Sequence, residues 1–187
     1  MPRSLAALSA RTGLRRVLVA YALFDVIEMY GWLVVILWAF DRGGASLAAL
    51  ATIVQLVPAA LLAPVVAGLG DRLPRGRALV LAHGAVAVGY GLTALALAVG
   101  AEGALVIAAS ASLTIVLAFV RPAHFAALPQ LARESPAQLV SANGLSSVCD
   151  GVARFIGPVA AGVAYARVGP AMAMAFGIVA AALATVL

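Results

Sequence analysis

The chain has 187 residues, of which 65% are hydrophobic and only 10% charged. Soluble domains run near half apolar and a quarter charged, so this composition excludes an ordinary soluble fold and indicates an integral membrane protein. The formal charge of +5 rests on twelve basic residues; they lie mostly between apolar runs, where membrane topology accounts for them better than nucleic-acid binding does.

The first residues, 1–16, are basic and read as a cytoplasmic N-terminal segment. The apolar run that follows is too long for a signal peptide, carries Asp25 and Glu28, and has no small-residue cleavage site after it. It is expected to stay as a first transmembrane helix over 17–40. A spanning helix needs roughly 20 apolar residues, and five more segments meet that length, at 46–69, 78–100, 103–129, 138–166 and 169–187. The expectation is therefore all-α: a membrane-embedded bundle of six transmembrane helices forming one domain over 17–187. Glycine or proline marks nearly every connection, as in DRGGAS and GDRLPRGR.

Arg3, Arg11, Arg15, Arg16, Arg72, Arg75, Arg77 and Arg133 fall on one side of this arrangement and only Arg42 and Arg167 on the other. The positive-inside rule then places the N-terminus in the cytoplasm. All basic residues are arginine and alanine is abundant, which fits GC-rich coding DNA and a bacterial inner membrane. The chain stops at Leu187 in mid-helix without a basic flank, so the natural protein is expected to continue. Cys149, the single cysteine, excludes an internal disulfide and a cysteine metal cluster. His83 and His124 are isolated, and neither a metal nor a cofactor is expected.

Five charged residues fall inside the spans: Asp25, Glu28, Arg121, Asp150 and Arg154. Each costs about 2.5–3.5 kcal/mol on insertion scales, so each should face protein or a wet cavity and have a partner. Asp25 and Glu28, three apart, share a helix face. They lie roughly 12–16 Å along the first helix, near the midplane. Close carboxylates in a low-dielectric site repel, so one of them is expected to hold a proton near neutrality. Arg121 reaches a similar depth on the fourth span and is expected to bridge to Asp25. Asp150 and Arg154 have the i, i+4 spacing of an intrahelical ion pair. A purely structural role for these charges remains the simpler alternative.

DGVAR, at 150–154, resembles part of the signature of the CDP-alcohol phosphotransferases. That family needs several converging aspartates for its metal ions. Here Ser147 stands at the place of one, the spacing to the arginine is short, and no aspartate follows Asp150. No enzyme is expected.

Extended to ANGLSSVCDGVARFIGPVAAG, the same stretch is similar to the fifth-helix motif of antiporters in the major facilitator superfamily, G-x8-G-x3-G-P-x2-G-G. Gly144, Gly157, Pro158 and Gly162 match, with Ala153 and Ala161 in place of two glycines. GLGDRLPRGR resembles the superfamily's cytoplasmic loop motif through Leu69, Asp71, Arg72 and Arg75; Pro74 stands where the family has glycine, and Gly68 and Arg77 are each one place off. RPAHFAALPQLARESPAQLVSANGL is similar to the helix 4–5 junction of enterobactin-exporter-like drug exporters, on Arg121, Pro122, Pro129, Leu139, Ala142 and Asn143. Helices 1 and 2 further resemble actinobacterial members, some of which bear a C-terminal nucleotide-binding or cyclase domain.

The resemblance implies the N-terminal six-helix half of a twelve-helix transporter, with the C-terminal half or a second copy of the chain as partner, alongside membrane lipid and a small-molecule substrate. It implies proton-coupled export of small amphipathic compounds by alternating access. Asp25, Glu28 and Arg121 would sit at the cavity, with Tyr21, Phe24, Tyr30 and Trp32 as a substrate wall. A six-helix membrane anchor or ligand sensor for a further C-terminal domain is the other reading.

Overall fold

The computed structural model describes residues 12–70, 73–131 and 136–187. They form four helical elements: α1 (Thr12–Gly70), α2 (Arg75–Ala98), α3 (Gly103–Leu131) and α4 (Pro136–Val186). This corrects the expectation of six separate helices. The first two expected helices run together as α1 and the last two as α4, because the connections between them are only a residue or two long. Backbone angles leave the helical range at Gly43 and Gly44 in α1 and at Gly169 in α4. Gly44 (φ +63°) and Gly169 (φ +77°) occupy the left-handed region, which costs glycine little and other residues considerably more.

These breaks reverse the chain. Trp32 and Gln55 would lie about 35 Å apart on a straight helix, yet both line one cavity of about 270 Å³. Likewise Tyr30 donates its hydroxyl to the Ala173 carbonyl at 2.8 Å, while the backbone nitrogen of the same Tyr30 lies 3.2 Å from where a Cβ on Gly157 would stand. Straight geometry would separate Gly157 from Ala173 by about 24 Å. Each of α1 and α4 is thus two arms folded back at glycine.

All four elements are long and apolar enough to cross a membrane. They are apolar all round, as helices buried in lipid must be: Leu61, Phe155 and Val186 are among many large side chains that face outward. With lipid as solvent, association rests on close packing rather than on expulsion of water. Both α1 and α2 pack their backbones against α3 and α4, and meet one another mainly through long side chains.

Tyr90 of α2 shows how the packing is achieved. It is fully buried and donates its hydroxyl to the Ile27 carbonyl of α1. Its ring presses against Gly31 of α1 and Gly177 of α4, and a Cβ added at either would force the ring to shift. Tyr21, Phe24, Tyr30, Val86, Leu113 and Met174 complete the same core. At Gly157 of α4, an added Cβ would meet the Val26 carbonyl oxygen at 2.7 Å and Met29 Cβ at 2.8 Å. That glycine sets the close approach of α4 to α1. Gly144 and Gly162, in the same motif, have nothing within 4 Å of an added Cβ, and Pro158 lies within the helix beside Gly157.

Candidate functional site

Three helical stripes meet below this packing. Tyr21, Asp25 and Glu28 follow i, i+4, i+7 on α1; Arg121 and His124 follow i, i+3 on α3; Ser146, Asp150 and Arg154 follow i, i+4, i+8 on α4. Each spacing keeps its side chains on one face, and the three faces converge on the Arg121 guanidinium.

Arg121 Nη2 lies 2.6 Å from Glu28 Oε2, 2.9 Å from Asp150 Oδ1 and 3.2 Å from Asp25 Oδ1. That nitrogen carries two hydrogens, and they go to Glu28 and Asp150. Asp25 is left with a charge contact alone: its side chain is fully buried, and neither oxygen accepts a hydrogen bond from the described residues. Arg121 Nη1 donates to the Tyr21 hydroxyl at 2.9 Å. The guanidinium also lies over the rings of Tyr21 and Phe24, 5.9 and 5.7 Å from their centroids. Asp150 Oδ2 meets Arg154 Nη2 at 3.0 Å, on a side chain that is mostly exposed.

The charges of this cluster do not cancel. Asp25, Glu28 and Asp150 supply three negative charges if all are ionised, and Arg121 and Arg154 two positive ones, leaving one in excess. A single proton on one carboxyl brings the cluster to neutrality. The carboxylates belong to α1 and α4 and Arg121 to α3, so the cluster ties three elements together.

The expected Arg121–Asp25 bridge is therefore present as a charge contact, and Glu28 is the closer partner. The intrahelical Asp150–Arg154 pair is present, but Asp150 also reaches Arg121 across elements, which helix spacing alone does not reveal. Of the four aromatic residues expected to form a substrate wall, Trp32 lines the cavity, whereas Tyr21, Phe24 and Tyr30 lie in the core. Asp71 and Arg72 of the loop motif lie outside the described residues, and Arg75 opens α2.

His124 is buried, stacked on Tyr21 with centroids 3.8 Å apart and planes 13° apart, and its Nε2 is 3.0 Å from Ser146 Oγ. It braces the tyrosine that Arg121 uses. His83 is buried edge-on to Phe24. Among the described residues no group of three or more His, Cys, Asp or Glu side chains could hold a metal ion.

Sequence reasoning missed Gln55, a fully buried amide that shares the cavity with Glu28 and Trp32. Its signal was available: it is the one polar side chain besides Thr52 between Leu47 and Val65. In comparison with known proteins, no family model, no curated protein and no solved structure matches this chain.

Proposed function

We propose that the chain is a proton-coupled secondary transporter, working as the N-terminal half of a major-facilitator-type carrier in a bacterial inner membrane. In this reading α1 and α4 each cross twice, at the glycine reversals, giving six crossings with the N-terminus in the cytoplasm. The partner is a C-terminal half or a second copy, the substrate a small amphipathic compound, and the direction export. The chain does no covalent chemistry.

One observation carries the reading. Three carboxylates and two guanidiniums, Arg121 and the more exposed Arg154, meet across three elements within apolar spans, one proton short of neutrality if all are ionised, and Glu28 of that cluster also lines the cavity. A cluster built only for packing would need no excess acid. Protonation loosens Arg121 from α1 or α4, and deprotonation tightens it, so proton binding and helix arrangement are linked through one side chain.

The test uses the protein in proteoliposomes with a trapped pH-sensitive dye and a panel of amphipathic fluorescent dyes as substrates. Substrate movement should be accompanied by counter-movement of protons. Glu28→Gln should abolish the proton signal while helix content by circular dichroism is unchanged. Proton-driven export at the full rate in that variant would remove Glu28 from the mechanism, and dye binding with no proton movement in the unaltered protein would favour a sensor over a carrier.

A further inference from the structure

The cavity lies between the two arms of α1 and the middle of α3, and Met29, Val35, Leu56, Leu113 and Leu117 make most of its wall. The polar groups of the wall offer it no free hydrogen. Ser110 and Thr114 donate their hydroxyls to the carbonyls of Ile107 and Ser110, at 2.8 and 2.9 Å. Trp32 Nε1 and Gln55 Nε2 are both shut inside the wall.

Two acceptors remain. Gln55 is only 1% exposed, yet its Oε1, unlike its Nε2, is open to the cavity and accepts nothing from a described residue. Glu28, the only ionisable side chain of the lining, spends Oε2 on Arg121 at 2.6 Å and leaves Oε1 uncommitted. A buried amide oxygen without a partner calls for a donor. A carboxylate oxygen on the same wall calls for a charged one, because charge-assisted hydrogen bonds are roughly twice as strong as neutral ones. Arg121 does not forbid a second cation here. With all groups ionised, Asp25, Glu28 and Asp150 outnumber Arg121 and Arg154 by one charge, so an ammonium group completes the balance.

We infer that this cavity binds a protonated primary or secondary amine on an apolar body, with Glu28 Oε1 and Gln55 Oε1 as the acceptors that select it. A volume of about 270 Å³ falls just below the usual range of roughly 300–1,000 Å³ for ligand pockets, which suits a body of one or two rings. That such an amine is the transported substrate rests on the carrier reading above; that it binds here does not.

The probe is a trifluoromethyl-diazirine benzylamine, photolysed with the whole chain in an uncharged mild detergent and located by peptide mass spectrometry. Label is expected on Met29, Leu56 or Leu117. Excess naphthylmethylamine should suppress it, whereas methylnaphthalene, the same rings without the amine, and the naphthoate anion should not. The trimethylammonium derivative keeps the charge but has no N–H, and should need about tenfold more for half-suppression, as expected for loss of a hydrogen bond to a charged group. In Gln55→Leu and in Glu28→Gln, the naphthylmethylamine requirement should rise about tenfold for the same reason. The wild-type competition needs no variant, so the inference stays testable even if both substitutions impair folding. Label confined to outward-facing residues such as Leu61 or Phe155, or no label at all, overturns it. So does equal suppression by methylnaphthalene, by naphthoate or by the trimethylammonium compound, or an unchanged amine requirement in either variant. No proton movement is read, and Gln55 takes no part in the charge cluster, so failure here and failure of proton coupling are told apart.

Discussion

Replacing Gly157 with alanine tests the packing that brings α4 onto α1 beside the charge cluster. The new Cβ would stand 2.7 Å from the Val26 carbonyl oxygen and 3.2 Å from the Tyr30 nitrogen, both backbone atoms, and 2.8 Å from Met29 Cβ. None of these can swing aside, so an element must move by several tenths of an ångström. Overpacking of this kind costs about 1–3 kcal/mol. Alanine also favours a helix over glycine by about 1 kcal/mol, which would blur the result if the variant were judged alone. Gly162→Ala supplies the control: it lies in the same element and meets nothing within 4 Å, so it takes the propensity gain without the clash. The difference between the two variants is then about 1–3 kcal/mol. At roughly 2–4 °C per kcal/mol for a chain of this size, Gly157→Ala should melt about 2–12 °C below Gly162→Ala. Thermal melting followed by circular dichroism in one detergent reads this directly. Equal melting temperatures, or a more stable Gly157→Ala, would refute the close approach.

Arg121→Gln leaves Asp25, Glu28 and Asp150 facing one another without their shared cation. The loss should be about 2–4 kcal/mol, somewhat under that for a fully buried pair because a third of the Arg121 side chain is exposed, and unfolding in mixed detergents measures it; unchanged stability would count against the shared network. Arg154→Ala, by contrast, should cost under about 1 kcal/mol, since its side chain is 64% exposed; a larger loss in the same assay would give Arg154 a role the geometry does not show. Tyr90→Phe removes the donor to the Ile27 carbonyl while keeping the ring between Gly31 and Gly177. It should cost about 1 kcal/mol, and less than Gly177→Ala, in which the ring itself must move; the reverse order would mean that the hydroxyl outweighs the fit.

Charge was the most legible part of the site. Asp25, Glu28 and Arg121 stand out in apolar runs because lipid makes them expensive, and that cost alone calls for partners. The identity of those partners was less accessible. Asp150 has a sufficient partner four residues on, so nothing local signals that it also reaches Arg121 across the bundle. The aromatic residues show the same limit. Tyr21, Phe24 and Trp32 are alike in residue type, and Tyr21 and Trp32, eleven residues apart, share nearly one helix face; only what α1 meets at each depth decides that Trp32 reaches the cavity while the others enter the core. Gln55 escaped notice because an uncharged amide carries no ionisation cost that would call for a partner. The reversal points were plain from Gly43, Gly44 and Gly169, but not that helical hydrogen bonding would close up to them on either side and merge six expected helices into four elements.

The tightness of those reversals bears on how the protein is made. A turn spent on Gly43 and Gly44 leaves almost no chain to lie in water between Trp38 and Ala48, which share one packed cluster. If each arm crosses the bilayer, as proposed above, the later arm of α1 has no slack with which to linger on one side while the earlier arm settles, and the two would enter the bilayer together as a pair. The same would hold for α4 around Gly169. On that reading the unit of biogenesis is the pair of arms, not the single crossing.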